Sequence, residues 1–173
     1  PSAATGGTFL PGNYAISYVN GNLTITPVPL TVTATNVTKT YGTAPTLSGF
    51  TSTGLVNAET IGSVTEVSAG SPAAASVAGS PYTITPSAAT GGTFTPGNYV
   101  ISYVNGNLTI TPAPLTVTAT DVTKTYGAVP TLSGFTSTGL VNAETIGSVT
   151  EVSPGSPATA PVAGSPYTIT PSA

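Results

Sequence analysis

Seven side chains carry charge in this sequence of 173 residues: Lys39, Lys124, Glu59, Glu66, Asp121, Glu144 and Glu151. Any acid–base chemistry has to start from them. Glu59 and Glu66 could form a glycosidase-like pair, one carboxyl protonating the leaving oxygen while the other assists attack. No further polar catalytic group accompanies them, and a helix-end charge plus a solvated strand residue account for the same positions. Lys39, with Glu59 or Glu66 and a nearby Asn, has the side-chain types of an intramolecular Lys–Asn isopeptide bond. A strand lysine that discourages edge pairing accounts for it equally. Asn22-Leu23-Thr24, Asn36-Val37-Thr38 and Asn107-Leu108-Thr109 are N-glycosylation triplets, which a chain rich in Thr and Asn also produces by chance. Thr31, Thr33 and Thr35 make a threonine row of the kind found on ice-binding faces, but a short one. The tyrosines could stack on sugars; filling a core is the competing use.

The missing residue types exclude more than the present ones suggest. The sequence has no His, Cys, Met, Trp, Arg or Gln. That removes the common zinc, haem, iron–sulfur and disulfide chemistry, and the Ser-His and Cys-His nucleophile pairs. No cofactor is expected. Two cations cannot neutralise a nucleic-acid backbone, so no nucleic-acid partner is expected either. No apolar run approaches the roughly 20 residues of a membrane span, so this segment is not expected to insert. Disorder goes with low hydropathy and high net charge. Here the mean hydropathy is +0.28, the net charge is −3 and only 4% of residues are charged. A folded chain with a neutral Thr, Ser, Asn and Gly surface follows.

The residues that could do chemistry sit in a repeat. The motif Pro-Ser-Ala-Ala-Thr-Gly-Gly-Thr-Phe begins at Pro1 and again at Pro86, and every later landmark recurs at the same period of 85 residues. Only nine of the 85 aligned positions differ, among them Ala15/Val100, Asn36/Asp121 and Ser76/Pro161. Such a period is too long for a solenoid coil and fits one small domain per repeat. The sequence starts and stops inside the pattern, which points to a longer array.

Within one period, alternation marks the strands. Leu30, Val32 and Ala34 face one side and Thr31, Thr33 and Thr35 the other, as in a half-buried strand. The phase breaks at Asn36-Val37, where a bulge or bend is expected, and the strand resumes to Tyr41 and ends at Gly42. Tyr126 and Gly127 hold these last two places in the second copy. Asn20-Gly21 between two alternating runs, and Asn105-Gly106 between their copies, predict type I′ hairpins. That register puts Tyr14, Ile16, Tyr18, Leu23 and Ile25 on one buried face and leaves Ala15 on the wet one. Tyr82–Thr85 is another strand, and Phe50–Val56 and Ser63–Val67 are further ones. Val56–Gly62 reads as a single helical turn with Asn57 as its N-cap and Val56 and Ile61 spaced for a hydrophobic staple. Residues 69–81 read as a loosely packed surface loop.

Pro27-Val28-Pro29 and Pro112-Ala113-Pro114 predict short, stiff joints, because Pro27, Pro29, Pro112 and Pro114 fix φ and remove donors. The expected division is 28–112 as one complete repeat domain, 1–27 as the closing hairpin of a preceding repeat, and 113–173 as the first part of the next. The fold class expected is mainly β: tandem small domains, β-grasp-like or sandwich-like, with at most one short helical turn per repeat. A lone hairpin is marginal in water. Completion by neighbouring repeats, along the chain or from another copy by β-strand complementation, is therefore expected.

The segments Leu30–Gly42, Gly54–Thr60 and Gly97–Thr111 together resemble the MBG domains of the YGX type. These are tandem modules of large bacterial surface and secreted proteins, including filamentous-haemagglutinin-like adhesins. The resemblance covers both periods and implies a small β-rich module, a location outside the cell and a stalk or filament role. It brings no catalytic residues. The competing expectation is a module that itself binds glycan or mucin through Tyr and Asn side chains.

Overall fold

The computed structural model describes residues 1–172. The strict alternation at the start of the repeat gives β1 (Val28–Ala34), with Leu30, Val32 and Ala34 buried and the threonines turned outward. At Thr35-Asn36 the chain bends and β2 (Val37–Thr40) continues in a different sheet. Five more strands complete the unit: β3 (Phe50–Thr53), β4 (Ile61–Val67), β5 (Tyr82–Gly92), β6 (Tyr99–Val104) and β7 (Gly106–Thr111). One sheet has the order β3-β1-β6 and the other β2-β7-β5-β4. One core cluster joins Leu30 and Val32 to Val64, Ala89, Phe94 and Tyr99. A second joins Ala34, Ile84 and Leu108, with Val37, Leu47 and Tyr82 packed against them. Among the described residues there is no α-helix, only four short 3₁₀ turns. The expectation of mainly β, tandem small domains holds.

The predicted hairpins do not form. β6 and β7 run end to end through Asn105 as one extended stretch that switches sheets. β6 lies parallel to β1, from Val28 opposite Tyr99 to Thr33 opposite Val104. β7 lies parallel to β2, with Val37 opposite Leu108 and Thr40 opposite Thr111, and takes β5 on its other side. A type I′ turn needs φ > 0 at both central residues, and neither Asn105 nor Gly106 has it. Gly106 serves another purpose. It is buried where the two parallel stretches switch sheets together, and a Cβ there would lie 2.8 Å from the Ala34 carbonyl oxygen. Beside it, the Asn36 side-chain oxygen accepts the Asn107 amide at 2.8 Å. The hairpin loses because β7, laid flat, gains two ladders where a hairpin would give it one. The sequence-derived faces survive the change of partner except at Tyr103, the counterpart of Tyr18, which is 37% exposed where a buried position was expected. Tyr99, Leu108 and Ile110 are buried, while Val100, the counterpart of Ala15, is exposed.

The expected helical turn is also replaced. Asn57 and Ala58 have φ of 55° and 56°, and the Glu59 amide donates to the Val56 carbonyl at 3.0 Å. This is a tight left-handed turn linking β3 to β4, so Asn57 is a turn residue and not an N-cap. The staple is absent too: Leu55 and Ile61 pack on the core, whereas Val56 is exposed. Asn tolerates the left-handed region and Ala does not do so readily. The turn is held by Tyr99, whose hydroxyl donates to Glu59 and accepts the Val56 amide at 3.3 Å.

The second copy shows what depends on β6 and β7. It forms β8 (Thr116–Ala119) against β9 (Phe135–Thr138), and β10 (Thr150–Val152) against β11 (Thr170–Ser172). Residues 122–125 and 167–169, the counterparts of β2 and the start of β5, form no ladder. Those are the segments whose partner would be a β7. The counterpart of β6–β7 in the other direction, Tyr14–Thr26, is likewise without strand structure and exposed. Strand and partner are absent together, as backbone groups require.

This dependence is measurable by paired truncations. Leu108→Ala is expected to destabilise the complete repeat by about 2–5 kcal/mol. The sequence-equivalent Leu23→Ala is expected to shift monomer stability by less than about 0.5 kcal/mol. Denaturant titration checks both.

Candidate functional site

The residues that line the gap in the second repeat are the counterparts of a finished core. A cleft of about 580 Å³ is bounded by Ala119, Val122, Lys124, Leu132, Tyr167 and Ile169. One period earlier these are Ala34, Val37, Lys39, Leu47, Tyr82 and Ile84. In the complete repeat that wall is closed by Leu108 and Ile110, which are 0% and 3% exposed. Their counterparts at the other end of the chain, Leu23 and Ile25, are 90% and 87% exposed. The chain thus has an open cleft in its second repeat and, separately, an exposed segment whose sequence matches the stretch that closes the equivalent place in the complete repeat.

The cleft is partly preformed. Lys124 donates to the carbonyls of Ala128, Ser156 and Pro157, at 3.3, 3.5 and 2.6 Å. Lys39 makes the same set in the complete repeat, to Thr43, Ser71 and Pro72, at 3.0, 3.5 and 2.5 Å. The expected exposed, edge-protecting role of Lys39 is therefore corrected: it is only 6% exposed. Burial lowers the pKa of its ammonium below the usual lysine value. Two of its three partners are main-chain carbonyls of the 69–81 segment, which is consequently a packed element and not a loose loop. Gly70, in that segment, is buried against Tyr82 and Leu108. No Asn side chain is among the hydrogen-bond partners of Lys39, so nothing here prepares the isopeptide step. The alternation of Val37, Lys39 and Tyr41 on one face was the signal that Lys39 turns inward.

The two carboxylates weighed for catalysis have separate surroundings. Glu59 sits at the left-handed turn under the Tyr99 hydroxyl, and that hydrogen bond is the main reason the Tyr99 pKa is raised. Glu66 is on β4, and both its carboxyl oxygens are buried without a hydrogen-bond partner, as are those of Glu151 in the second copy. Desolvation raises the pKa of Glu66. An acid/base pair needs both groups to face one bond. Glu59 is occupied by a structural tyrosine, and the Glu66 carboxyl oxygens are buried on the strand beyond.

The other singled-out positions fall in three places. Asn20 and Gly21 are exposed, and Asn105 and Gly106 mark the sheet switch. Pro29 lies within β1, whereas Pro27, Pro112 and Pro114 flank the strands and are exposed. Tyr41 and Gly42 meet the second repeat through Glu144 and Val141, whereas Tyr126 and Gly127 are exposed. Residues missed by reading alone are Glu144, Val141 and the Lys39 carbonyl cage, because all three depend on contacts between distant segments.

Two sheets that share sheet-switching strands, repeated at a fixed period, define a tandem β-repeat module. The chain belongs to the MBG domain family of the YGX type, whose family model matches residues 30–109 and 115–173. The first match runs from Leu30 in β1 to Thr109 in β7. It is a repeat module of surface proteins. No curated protein and no solved structure matches the chain.

Glu66 offers a test of the buried surroundings. A carboxyl whose folded pKa is raised is most favourable while protonated, so its contribution is lost as pH rises through that pKa. Glu66→Gln is expected to raise the melting temperature at neutral pH. The gap is expected to close as pH falls through the carboxylate range. Melting curves across pH check this; equal stability at neutral pH would contradict the burial.

Proposed function

We propose that this chain is a segment of a non-enzymatic stalk or filament of a bacterial extracellular adhesin. Its modules supply length and resistance to pulling. One observation carries the reading. The first stretch of the module, β1–β2, and its last, β6–β7, lie side by side and parallel. Tension enters at the start of β1 and leaves at the end of β7. It therefore shears the two ladders along their length, loading their hydrogen bonds together. In an antiparallel terminal pair the same tension would open them one at a time. The proline-flanked joints keep direction between modules. With 4% charged residues there is little for salt or pH to screen, which suits a scaffold exposed to changing surroundings.

The same last stretch supports association. In this reading the cleft of residues 113–172 takes a stretch equivalent to Tyr14–Thr26, from the following repeat of the array or, for the 173-residue segment by itself, from a second copy, adding as strands parallel to the counterparts of β1 and β2. Leu23 and Ile25 would enter the places that Leu108 and Ile110 fill within the complete repeat. Main-chain ladders supply affinity, and alternate side chains supply register, as in strand addition generally. The contact is head to tail, so it propagates into a line.

The test is electron microscopy and sedimentation of the 173-residue chain over a range of concentrations. Unbranched end-to-end filaments are expected, with the associated fraction rising with concentration. The chain lacking 1–27, and Leu23→Asp in the full chain, are expected to remain monomeric. Monomers at every concentration, or filaments unaffected by Leu23→Asp, would overturn the association.

A further inference from the structure

We propose that Tyr41-Gly42 is a socket for the next repeat, and that the Val-Asn-Ala-Glu turn of that repeat is its plug. The joint between modules is then a built contact in addition to a proline tether. The Tyr41 hydroxyl donates to the Glu144 carboxylate. Next to it, Gly42 has a φ of +91° and approaches Val141 so closely that an added Cβ would lie 2.8 Å from its side-chain atoms. The repeat provides its own control. Gly127 has the same conformation, φ +94°, with nothing within 4 Å of where its Cβ would be. Tyr41 is half-buried, and its counterpart Tyr126 is 66% exposed. Val141 is half-buried, and its counterpart Val56 is 41% exposed. The docked member of each pair is covered and the undocked member is open.

Both halves keep their shape whether or not they are docked. The socket is tied into its own repeat by the Gly42 amide on the Ala73 carbonyl at 3.1 Å, and the Gly127 amide makes the same bond to Ala158 at 3.1 Å. The plug is left-handed in both copies, with φ of 55° and 56° at Asn57 and Ala58 and 54° and 58° at Asn142 and Ala143. Preformed partners lose little freedom on contact. Ala58 and Ala143 are strained in that region, a conformation that persists only where the surroundings impose it. The hydrogen bond to Glu144 is also the main cause that raises the Tyr41 pKa.

The plug glutamate has a second duty in the complete repeat, where Glu59 accepts the Tyr99 hydroxyl. A carboxylate has room for both donors. In an array each such glutamate would hold one tyrosine of its own β6 and one of the preceding repeat. The chain thus presents one free plug, Val56–Glu59, and one free socket, Tyr126-Gly127. Head-to-tail strand addition brings this plug and socket into the relation that 141–144 and 41–42 already have, one period earlier. The identity of the partner, the next repeat, rests on the array reading; the contact itself does not.

The test measures the hinge in the intact chain. Spin labels on cysteines replacing the exposed Thr51 and Thr136, one in each repeat, report the distance distribution between repeats by double electron–electron resonance. The measurement is made at a dilution where the chain is monomeric. A narrow distribution is expected. Tyr41→Phe and Gly42→Ala are each expected to widen it at least about twofold, whereas Tyr126→Phe and Gly127→Ala leave it unchanged. Gly42→Ala and Gly127→Ala carry the same local backbone strain, so only the contact distinguishes them. A broad distribution from the outset, or equal responses of the two pairs, would overturn the socket. Filaments with a loose hinge would leave the array reading standing without the socket. A tight hinge in chains that never associate would do the reverse.

Discussion

Backbone hydrogen bonding to one extended stretch, Tyr99 to Thr111, decides how much of a repeat closes into its two sheets. Its first half completes the sheet containing β1, and its second half lies between β2 and β5. Where that stretch is present, both sheets and both core clusters close. Where it is missing, in residues 113–172, the segments that would pair with its second half lose strand structure and their apolar side chains line an open cleft. Unpaired backbone polar groups cannot be buried, so a missing strand removes its neighbours' ladders as well as its own. The repeat is thus a unit whose last part is structurally separable. That separability is the physical root of the open cleft, and of the load path and strand addition proposed for it.

Periodicity exposed the faces of the fold but not its pairings. Leu30, Val32 and Ala34 alternate with threonine strictly enough to fix which side of β1 is buried, and the faces of Tyr99, Leu108 and Ile110 follow in the same way. Asn105-Gly106 misled because a turn dipeptide states a local preference, and tertiary ladders on both sides of β7 outweigh it. The glycine was needed all the same, for close approach to Ala34 and not for a positive φ. Conversely, Val-Asn-Ala-Glu holds the left-handed turn without a Gly, and composition gives little sign of it. Lys39 was legible in phase, since it alternates with Val37, but its charge argued for the surface. Three main-chain carbonyls outweigh that argument.

The scarcity of charge has a consistent meaning across these features. Each repeat holds its one lysine against carbonyls and has one glutamate with both carboxyl oxygens buried, Glu66 on β4 and Glu151 on β10. A second glutamate, at the plug, accepts a tyrosine hydroxyl of its own repeat in one copy and of the preceding repeat in the other. Most of the few charges are therefore used inside the module or between modules. The outer surface is left to threonine, serine and asparagine, which neither attract ions nor depend on them. A module built this way adds only one or two negative charges per copy, and its contact with the next copy rests on shape and a tyrosine–carboxylate hydrogen bond.

The central claim is that tension shears parallel terminal strands, and single-molecule pulling on the chain by its two ends tests it most directly. The complete repeat is expected to unfold in one high-force event. Its contour length should grow by roughly 250 Å, since about 85 residues extend to at most about 290 Å. The incomplete repeat is expected to give no comparable event. Gradual extension at low force with no discrete event would contradict the account, as would equal events from both repeats.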